Sequence, residues 1–231
     1  MINKNFNERD FLKFAKSRFQ YSSSAIEGAL NSGIMNSGYM SPTILEEREM
    51  HVTQMDVFSR LMAERTIVFG TDFNSVSCNI AVAQLLYLSQ ASDEPIKILV
   101  NSPGGSVYDG YGVLETMAFI KPDVETVNIG MAASMGSLLL MCGTRGKRSS
   151  LPSARVMIHQ PLGGVQGQAT EIINEAKEIE KTRNEIYNLI AQRTKQPLEK
   201  IAVDCERDHW LRASEALDYG IIDKIIPITW D

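Results

Sequence analysis

A serine set among small residues is the first candidate for chemistry in this chain. Ser134 stands in the run Ala132-Ala133-Ser134-Met135-Gly136, between a predicted strand and a predicted helix. Small neighbours let a hydroxyl project at such a turn, which imitates the nucleophile elbow of hydrolases with alanine in place of the first glycine. A serine before a helix is more often only an N-terminal cap. The run alone therefore leaves both interpretations open.

A serine nucleophile needs a general base, and the chain offers three histidines for that role, at positions 51, 159 and 209. His159 ends a predicted strand, beside Gln160 and Pro161. Catalytic groups gather at strand ends in α/β folds, although a strand-end histidine is about as often a structural hydrogen-bonding residue. His209 is the alternative base, and the pattern does not exclude His51.

The acid that would orient the histidine is not selected by composition. Asp208 lies in the charged run Glu206-Arg207-Asp208-His209, and such a run is usually a solvated turn. Residue types and spacing by themselves therefore do not complete a triad.

Alternating strand and helix patterns are predicted to position these side chains. Repeated strand, helix, strand units indicate an α/β fold with a largely parallel sheet and right-handed crossovers. The segment Asn101 to Gly105 follows one strand, and its two glycines can take positive φ and bring the backbone close to a ligand. The predicted strands are 66–69, 96–100, 124–129, 155–159 and 221–226, and the main predicted helices are 57–62, 79–89, 107–118, 138–141, 169–195 and a short one capped by Ser214 and ended by Gly220.

Two segments stand apart from this alternation. The helix predicted over 169–195 would reach roughly 40 Å, which suits a surface helix or a projection used in self-association. Residues 1–38 are predicted to be an N-terminal leader because residues 21–38 are polar and rich in Ser, Asn and Gly. The leader is either a segment removed on maturation or a docked helix with a surface loop, and residues 39–231 are expected to form the domain that carries the candidate residues.

Bulk composition disfavours several classes of function. The formal charge of −5 and the pI near 5.3, without a dense basic stripe, argue against a nucleic-acid partner. Three widely spaced cysteines predict free thiols in a reducing compartment. No signal peptide or membrane span is visible, so a cytoplasmic protein without membrane contact is expected. Residues 143–148 lack the upstream glycine and the Ser/Thr of a P-loop, so we expect no bound nucleotide or other cofactor.

Four segments in order resemble successive signatures of the ClpP family, and the spacing of Ser134, His159 and Asp208 resembles that of the family's Ser, His and Asp. The likeness runs from about Ser41 to the C-terminus. The four segments are Asn101-Ser102-Pro103-Gly104-Gly105, Gly130-Met131-Ala132-Ala133-Ser134-Met135-Gly136, Arg155-Val156-Met157-Ile158-His159-Gln160-Pro161 and Glu206-Arg207-Asp208.

The resemblance implies a serine endopeptidase. It makes Ser134 the nucleophile, His159 the general base and Asp208 the group that orients the imidazole. It also implies an oxyanion hole formed by the backbone N–H groups of Gly105 and Met135. The order Ser, His, Asp differs from that of α/β-hydrolases, which disfavours that fold. The fold that the resemblance implies is a crotonase-like superhelix of β-β-α units with a protruding handle helix.

The resemblance further implies an assembly. It predicts a homo-oligomer of two stacked heptamers whose sites face an inner chamber, joined through the long helix and the flexible stretch 163–168. Unfolded proteins and peptides would be the substrates, delivered by an AAA+ unfoldase such as ClpX that uses the ATP. Lys97 and Leu99 stand where relatives commonly carry aromatic residues, so this chain departs from the family at the expected docking pocket.

Two other classes of function compete with this one. A crotonase-type acyl-CoA hydratase or isomerase would use the same backbone oxyanion pair, but it would need acids rather than Ser134 and His159. A non-catalytic ring subunit would only assemble, although all three triad positions are occupied here.

Overall fold

Residues 43–48 and 51–230 are described by a computed structural model, in which the chain divides into two compact units, 1–57 and 58–231. In the first unit, β1 (Thr43–Arg48) and β2 (His51–Asp56) pair as an antiparallel hairpin, with Thr43 opposite Asp56. The predicted leader, residues 1–38, lies outside the described residues.

The second unit is built on a seven-stranded sheet with helices packed against it. Strand order is β3-β4-β5-β6-β9, and β7 pairs with both β5 and β8. All pairs in this sheet are parallel except β7 with β8, which confirms the predicted α/β class. The elements are α1 (Val57–Ala63), β3 (Thr66–Phe69), α2 (Ser75–Ala91), β4 (Ile96–Ser102), α3 (Val107–Phe119), β5 (Val124–Ala133), α4 (Met135–Cys142), β6 (Arg148–Ser150), β7 (Arg155–Ile158), α5 (Ala169–Thr194), α6 (Leu198–Asp204), β8 (His209–Arg212), α7 (Ala213–Tyr219) and β9 (Lys224–Ile225).

The helix α4 lies at the centre of the core. It contacts β4 and β5 on the sheet side and α3 and α5 on the other, and every residue from Met135 to Met141 is buried. A helix that is apolar all round is stable only when it is enclosed in this way. Because β5 ends at Ala133 and α4 begins at Met135, Ser134 is held between two of the most buried elements of the unit.

The structure corrects four details of the predicted elements. The predicted strand 124–129 is too short, because Met131–Ala133 continue β5 by pairing with β7. The predicted strand 221–226 is too long, because only Lys224–Ile225 form the strand β9. Ser214 lies inside α7, whose N-cap is Arg212. The sequence prediction also missed β6, α6 and β8.

The long helix α5 has 26 residues and confirms the predicted handle. Its buried residues all lie in the C-terminal half, between Thr182 and Thr194, so the N-terminal half packs little against the other described residues. Ile172 and Ile173 are consequently exposed in that half. The packed half is anchored by Arg193, whose guanidinium donates hydrogen bonds to the carbonyls of Met141 and Gly143.

Candidate active site

Ser134 occupies the sharp turn between β5 and α4. Its backbone has φ 53° and ψ −122°, a conformation that is unusual for a residue with a side chain. The surrounding bonds hold the turn: the Ser134 N–H donates to the Met157 carbonyl at 2.9 Å, and the Ser134 carbonyl accepts from the N–H of Ser137 at 2.9 Å. Although Ser134 stands at the N-cap position, its side chain makes no capping hydrogen bond, so the cap interpretation is wrong.

The Ser134 hydroxyl instead meets His159, which follows directly after β7. The distance from His159 Nε2 to Ser134 Oγ is 2.9 Å, and 14% of the imidazole side chain is exposed. β7 brings the histidine to the serine because it pairs in parallel with the last residues of β5, with Met157 opposite Ala133. Ser134 is the first residue after Ala133 and His159 is the second after Met157, so the pairing brings both side chains to the same end of the two strands.

Asp208 completes a chain of hydrogen bonds through the histidine. Its Oδ1 lies 3.0 Å from His159 Nδ1. The two residues meet because β7 and β8 are antiparallel and their ladder ends at Ile158 opposite His209, which leaves His159 facing Asp208 just beyond the end. With Nδ1–H donating to the carboxylate, Nε2 carries a lone pair that can accept the proton of the Ser134 hydroxyl.

The glycine pair after β4 packs against the serine turn. Gly104 has φ 97° and Gly105 has φ 146°, both in the region that favours glycine. A Cβ added to Gly104 would lie 2.5 Å from Ser134 Cβ and 3.1 Å from Met135 N. Within residues 58–230, neither the Gly105 N–H nor the Met135 N–H donates a hydrogen bond. Two unpaired N–H groups beside a serine hydroxyl can bind an oxyanion.

An apolar pocket adjoins the serine and the histidine. It is a small cavity next to Ser134. Its wall is formed by Val107, Leu138, Ile158, Pro161, Ile186 and Ile190.

Phe73 contributes to the site through its backbone, which no sequence motif indicated. The Phe73 N–H donates to the Gly104 carbonyl at 2.9 Å, and the Phe73 carbonyl accepts from Ser106 N–H at 2.8 Å. A Cβ on Gly105 would lie 2.3 Å from the Phe73 carbonyl oxygen. These contacts hold the glycine turn from the side opposite the serine.

The alternative bases belong to other elements of the structure. His209 belongs to β8, and its ring centroid lies 6.2 Å from that of Tyr219. His51 begins β2 in the other unit, where the backbone pairing with Arg48 is described. His159 is therefore the histidine that the fold brings to Ser134.

The three cysteines are free thiols, as predicted, and are unsuited to act as nucleophiles. Burial raises the pKa of Cys142 to about 11 and that of Cys205 to about 12. Burial likewise raises the pKa of Cys78. Since the thiolate is the reactive form of cysteine, the raised pKa disfavours reaction of these thiols near neutral pH.

The described residues contain no group of three or more His, Cys, Asp or Glu side chains placed to hold a metal ion. None of the helices in the same part of the chain is long and apolar enough to cross a membrane.

Comparison with known proteins agrees with this geometry. The Clp protease family model matches residues 47–229. Proteins called ATP-dependent Clp protease proteolytic subunit are 49% identical in Porphyromonas gingivalis, over 94% of this chain and 97% of the relative, and 47% identical in Bacteroides fragilis strain YCH46, over 94% and 98%. A Bacteroides thetaiotaomicron protein of the same name is 47% identical over 94% and 98%. The chain therefore belongs to the Clp protease family, a family of serine peptidases.

Proposed function

We propose that this chain hydrolyses peptide bonds by covalent catalysis through Ser134, with His159 as general base and Asp208 as the group that orients the imidazole. The observation that carries the proposal is the continuous hydrogen-bond chain from Asp208 Oδ1 through His159 to Ser134 Oγ, at 3.0 Å and 2.9 Å. This is the geometry that the serine triad requires.

The first half of the reaction forms an acyl-enzyme. Ser134 Oγ attacks the carbonyl carbon of the substrate while His159 Nε2 takes the hydroxyl proton. The tetrahedral intermediate then collapses, the carbon–nitrogen bond breaks, and His159 returns the proton to the leaving amine. Asp208 stabilises the imidazolium that exists between these two proton transfers.

The oxyanion of the tetrahedral intermediate is bound by the N–H groups of Gly105 and Met135. Both belong to backbone held by the fold, since Met135 begins a buried helix and the glycine turn is tied to Phe73. Donors that are already in position contribute on the order of 3 kcal/mol each to transition-state stabilisation.

The second half of the reaction regenerates the enzyme. His159 removes a proton from a water molecule, which attacks the acyl carbon, and the ester bond to Ser134 Oγ breaks as the serine regains its proton. The released product is a free carboxylate. An apolar side chain before the scissile bond is favoured by the hydrophobic pocket beside Ser134.

The chain works as a subunit of a ring, which we propose to be two stacked heptamers located in the cytoplasm. The relatives' name, proteolytic subunit of an ATP-dependent protease, supports a separate ATP-using unfoldase of the AAA+ class as partner. The exposed Ile172 and Ile173 on the projecting half of α5 support self-association through this helix. Unfolded proteins and short peptides are the proposed substrates.

The decisive experiment compares the full chain with Ser134→Ala in cleavage of a fluorogenic peptide, with oligomer size measured in both. We expect the variant to form the same oligomer and to lose about 10⁴-fold or more in kcat. Unchanged cleavage by Ser134→Ala would refute the mechanism. An intact ring of the native sequence that cleaves no peptide, even with an unfoldase added, would favour a non-catalytic subunit, and turnover of an acyl-CoA would favour the crotonase alternative.

A further inference from the structure

Gln160 joins the two segments that carry the imidazole and the carboxylate. It follows His159 directly, and its backbone N–H donates to the Cys205 carbonyl at 2.7 Å. Its side-chain Nε2 donates to the Glu206 carbonyl at 3.1 Å. Both bonds lie beyond the end of the β7–β8 ladder. Gln160 therefore binds the carbonyls of two successive residues in the loop that leads to Asp208.

Asp208 itself is held by few contacts. Its side chain is 60% exposed, and the one hydrogen bond that its carboxylate makes to the described residues goes to His159. The His159–Asp208 pair is flanked by two attachments. One is the last ladder pair, Ile158 with His209, and the other is the two hydrogen bonds that Gln160 donates. Cys205 is also fixed by the bond from its own N–H to the Ile201 carbonyl, so the Gln160 side chain supplies the attachment that reaches furthest toward Asp208, at the Glu206 carbonyl.

We propose that Gln160 is a positioning residue that holds the Asp208 carboxylate against His159 Nδ1 by binding the Glu206 carbonyl. The inference rests on the proposed triad mechanism and assigns to Gln160 no contact with substrate. Catalytic groups must be kept within about 0.5 Å and 10–20° of their productive geometry by neighbours that are themselves held. An exposed carboxylate on a short loop gains that precision from a second, non-ladder attachment.

The chain contains a matched control for this interaction. Gln196 Nε2 donates to the Tyr219 carbonyl, also at 3.1 Å, and it lies after the end of α5, apart from Ser134, His159 and Asp208. Losing either glutamine side chain removes the same kind of bond of the same length. Only the loss at Gln160 should alter the reaction.

The test uses Gln160→Met, which keeps the length of the side chain but cannot donate, and Gln160→Glu, whose carboxylate would face the Glu206 carbonyl oxygen. In the full-length oligomer, both should lower kcat for a fluorogenic peptide about threefold to tenfold, as expected for one lost hydrogen bond, with KM unchanged. Gln196→Met should leave kcat and KM at their native values. Oligomer size is recorded for each variant.

A second arm asks whether Gln160 acts through Asp208. In an Asp208→Asn background, Gln160→Met should change the rate by less than twofold, because residues that act as one unit are not additive. Native kcat in both Gln160 variants, a loss confined to KM, or an equal factor in both backgrounds would overturn the inference. If one of these results is found and Ser134→Ala is inactive, the proposed mechanism stands and only the role of Gln160 is refuted. An active Ser134→Ala would refute both the mechanism and the role of Gln160.

Discussion

The packing of Gly104 against Ser134 allows a quantitative test of how the site is built. In Gly104→Ala, the new methyl would lie 2.5 Å from Ser134 Cβ and 2.8 Å from the Ala133 carbonyl oxygen. Carbon atoms in contact normally lie about 3.5–4.0 Å apart, so the turn or the serine must move by about 1 Å. A misplacement of about 1 Å can cost about 100-fold in rate, and loss of one oxyanion donor costs about 10²- to 10³-fold.

We therefore expect Gly104→Ala to lower kcat for a fluorogenic peptide by at least about 100-fold. Part of any effect would come from backbone strain, since Gly104 has φ 97°. Gly146→Ala controls for this, because Gly146 has φ 84° and open space within 4 Å of an added Cβ. Each strained φ costs on the order of 1–3 kcal/mol of stability. Native kcat in Gly104→Ala, or equal losses of kcat in both variants, would refute the proposed packing role.

Two further predictions concern stability. Burial tends to raise the pKa of the Asp223 carboxyl, but its bonds to Arg148 and that residue's charge outweigh burial and hold the pKa below the ordinary value. Because this pKa is lower in the folded chain, its stabilisation is complete above about pH 4 and is lost as pH falls through the folded-state pKa. Arg148→Met should lower the free energy of unfolding by about 3–5 kcal/mol at pH 7, measured by denaturant unfolding. It should also flatten the dependence of this free energy on pH below pH 4. Parallel pH dependences in the variant and the native chain would contradict this. Gly112 is exposed in α3, and no atom lies within 4 Å of an added Cβ. Gly112→Ala should therefore raise the free energy of unfolding by about 0.5–1 kcal/mol, visible as a higher Tm. An unchanged or lower Tm would count against this prediction.

Most elements could be predicted from the sequence because local patterns decide them. Thr66–Phe69 was predicted to the residue, and the handle helix within one residue of its end. Both are governed by short-range periodicity and by nearby breakers. The errors fell on elements that depend on distant partners. β5 continues past Gly130 because β7 and the end of β4 pair with it, and β8 exists only as the antiparallel partner of β7.

In the candidate site, too, features set by local motifs could be predicted, and contacts between distant residues could not. Residue types and motif resemblance predict Ser134, His159, Asp208, Gly105 and Met135 as site residues. Neither composition nor spacing could have chosen Asp208 from the charged run around it, because its partner His159 is 49 positions away. The contribution of Phe73 was missed for a related reason: it acts through its backbone carbonyl and N–H group, which carry no signature in side-chain identity. The role proposed for Gln160 uses its side-chain amide, but the partner is the backbone carbonyl of Glu206, 46 positions away, so no local pattern indicated it.

The sequence by itself determined the α/β class, the positions of the glycine turn and the small-residue serine turn, and the length of the handle helix, since each follows from local sterics and periodicity. Only the tertiary structure decided which histidine meets the serine and whether that serine caps its helix. Strand pairing made the decision: parallel β5 and β7 align Ser134 with His159, and antiparallel β7 and β8 bring Asp208 to the far nitrogen. Such pairings join residues far apart in the chain, so they exist only once the sheet has formed.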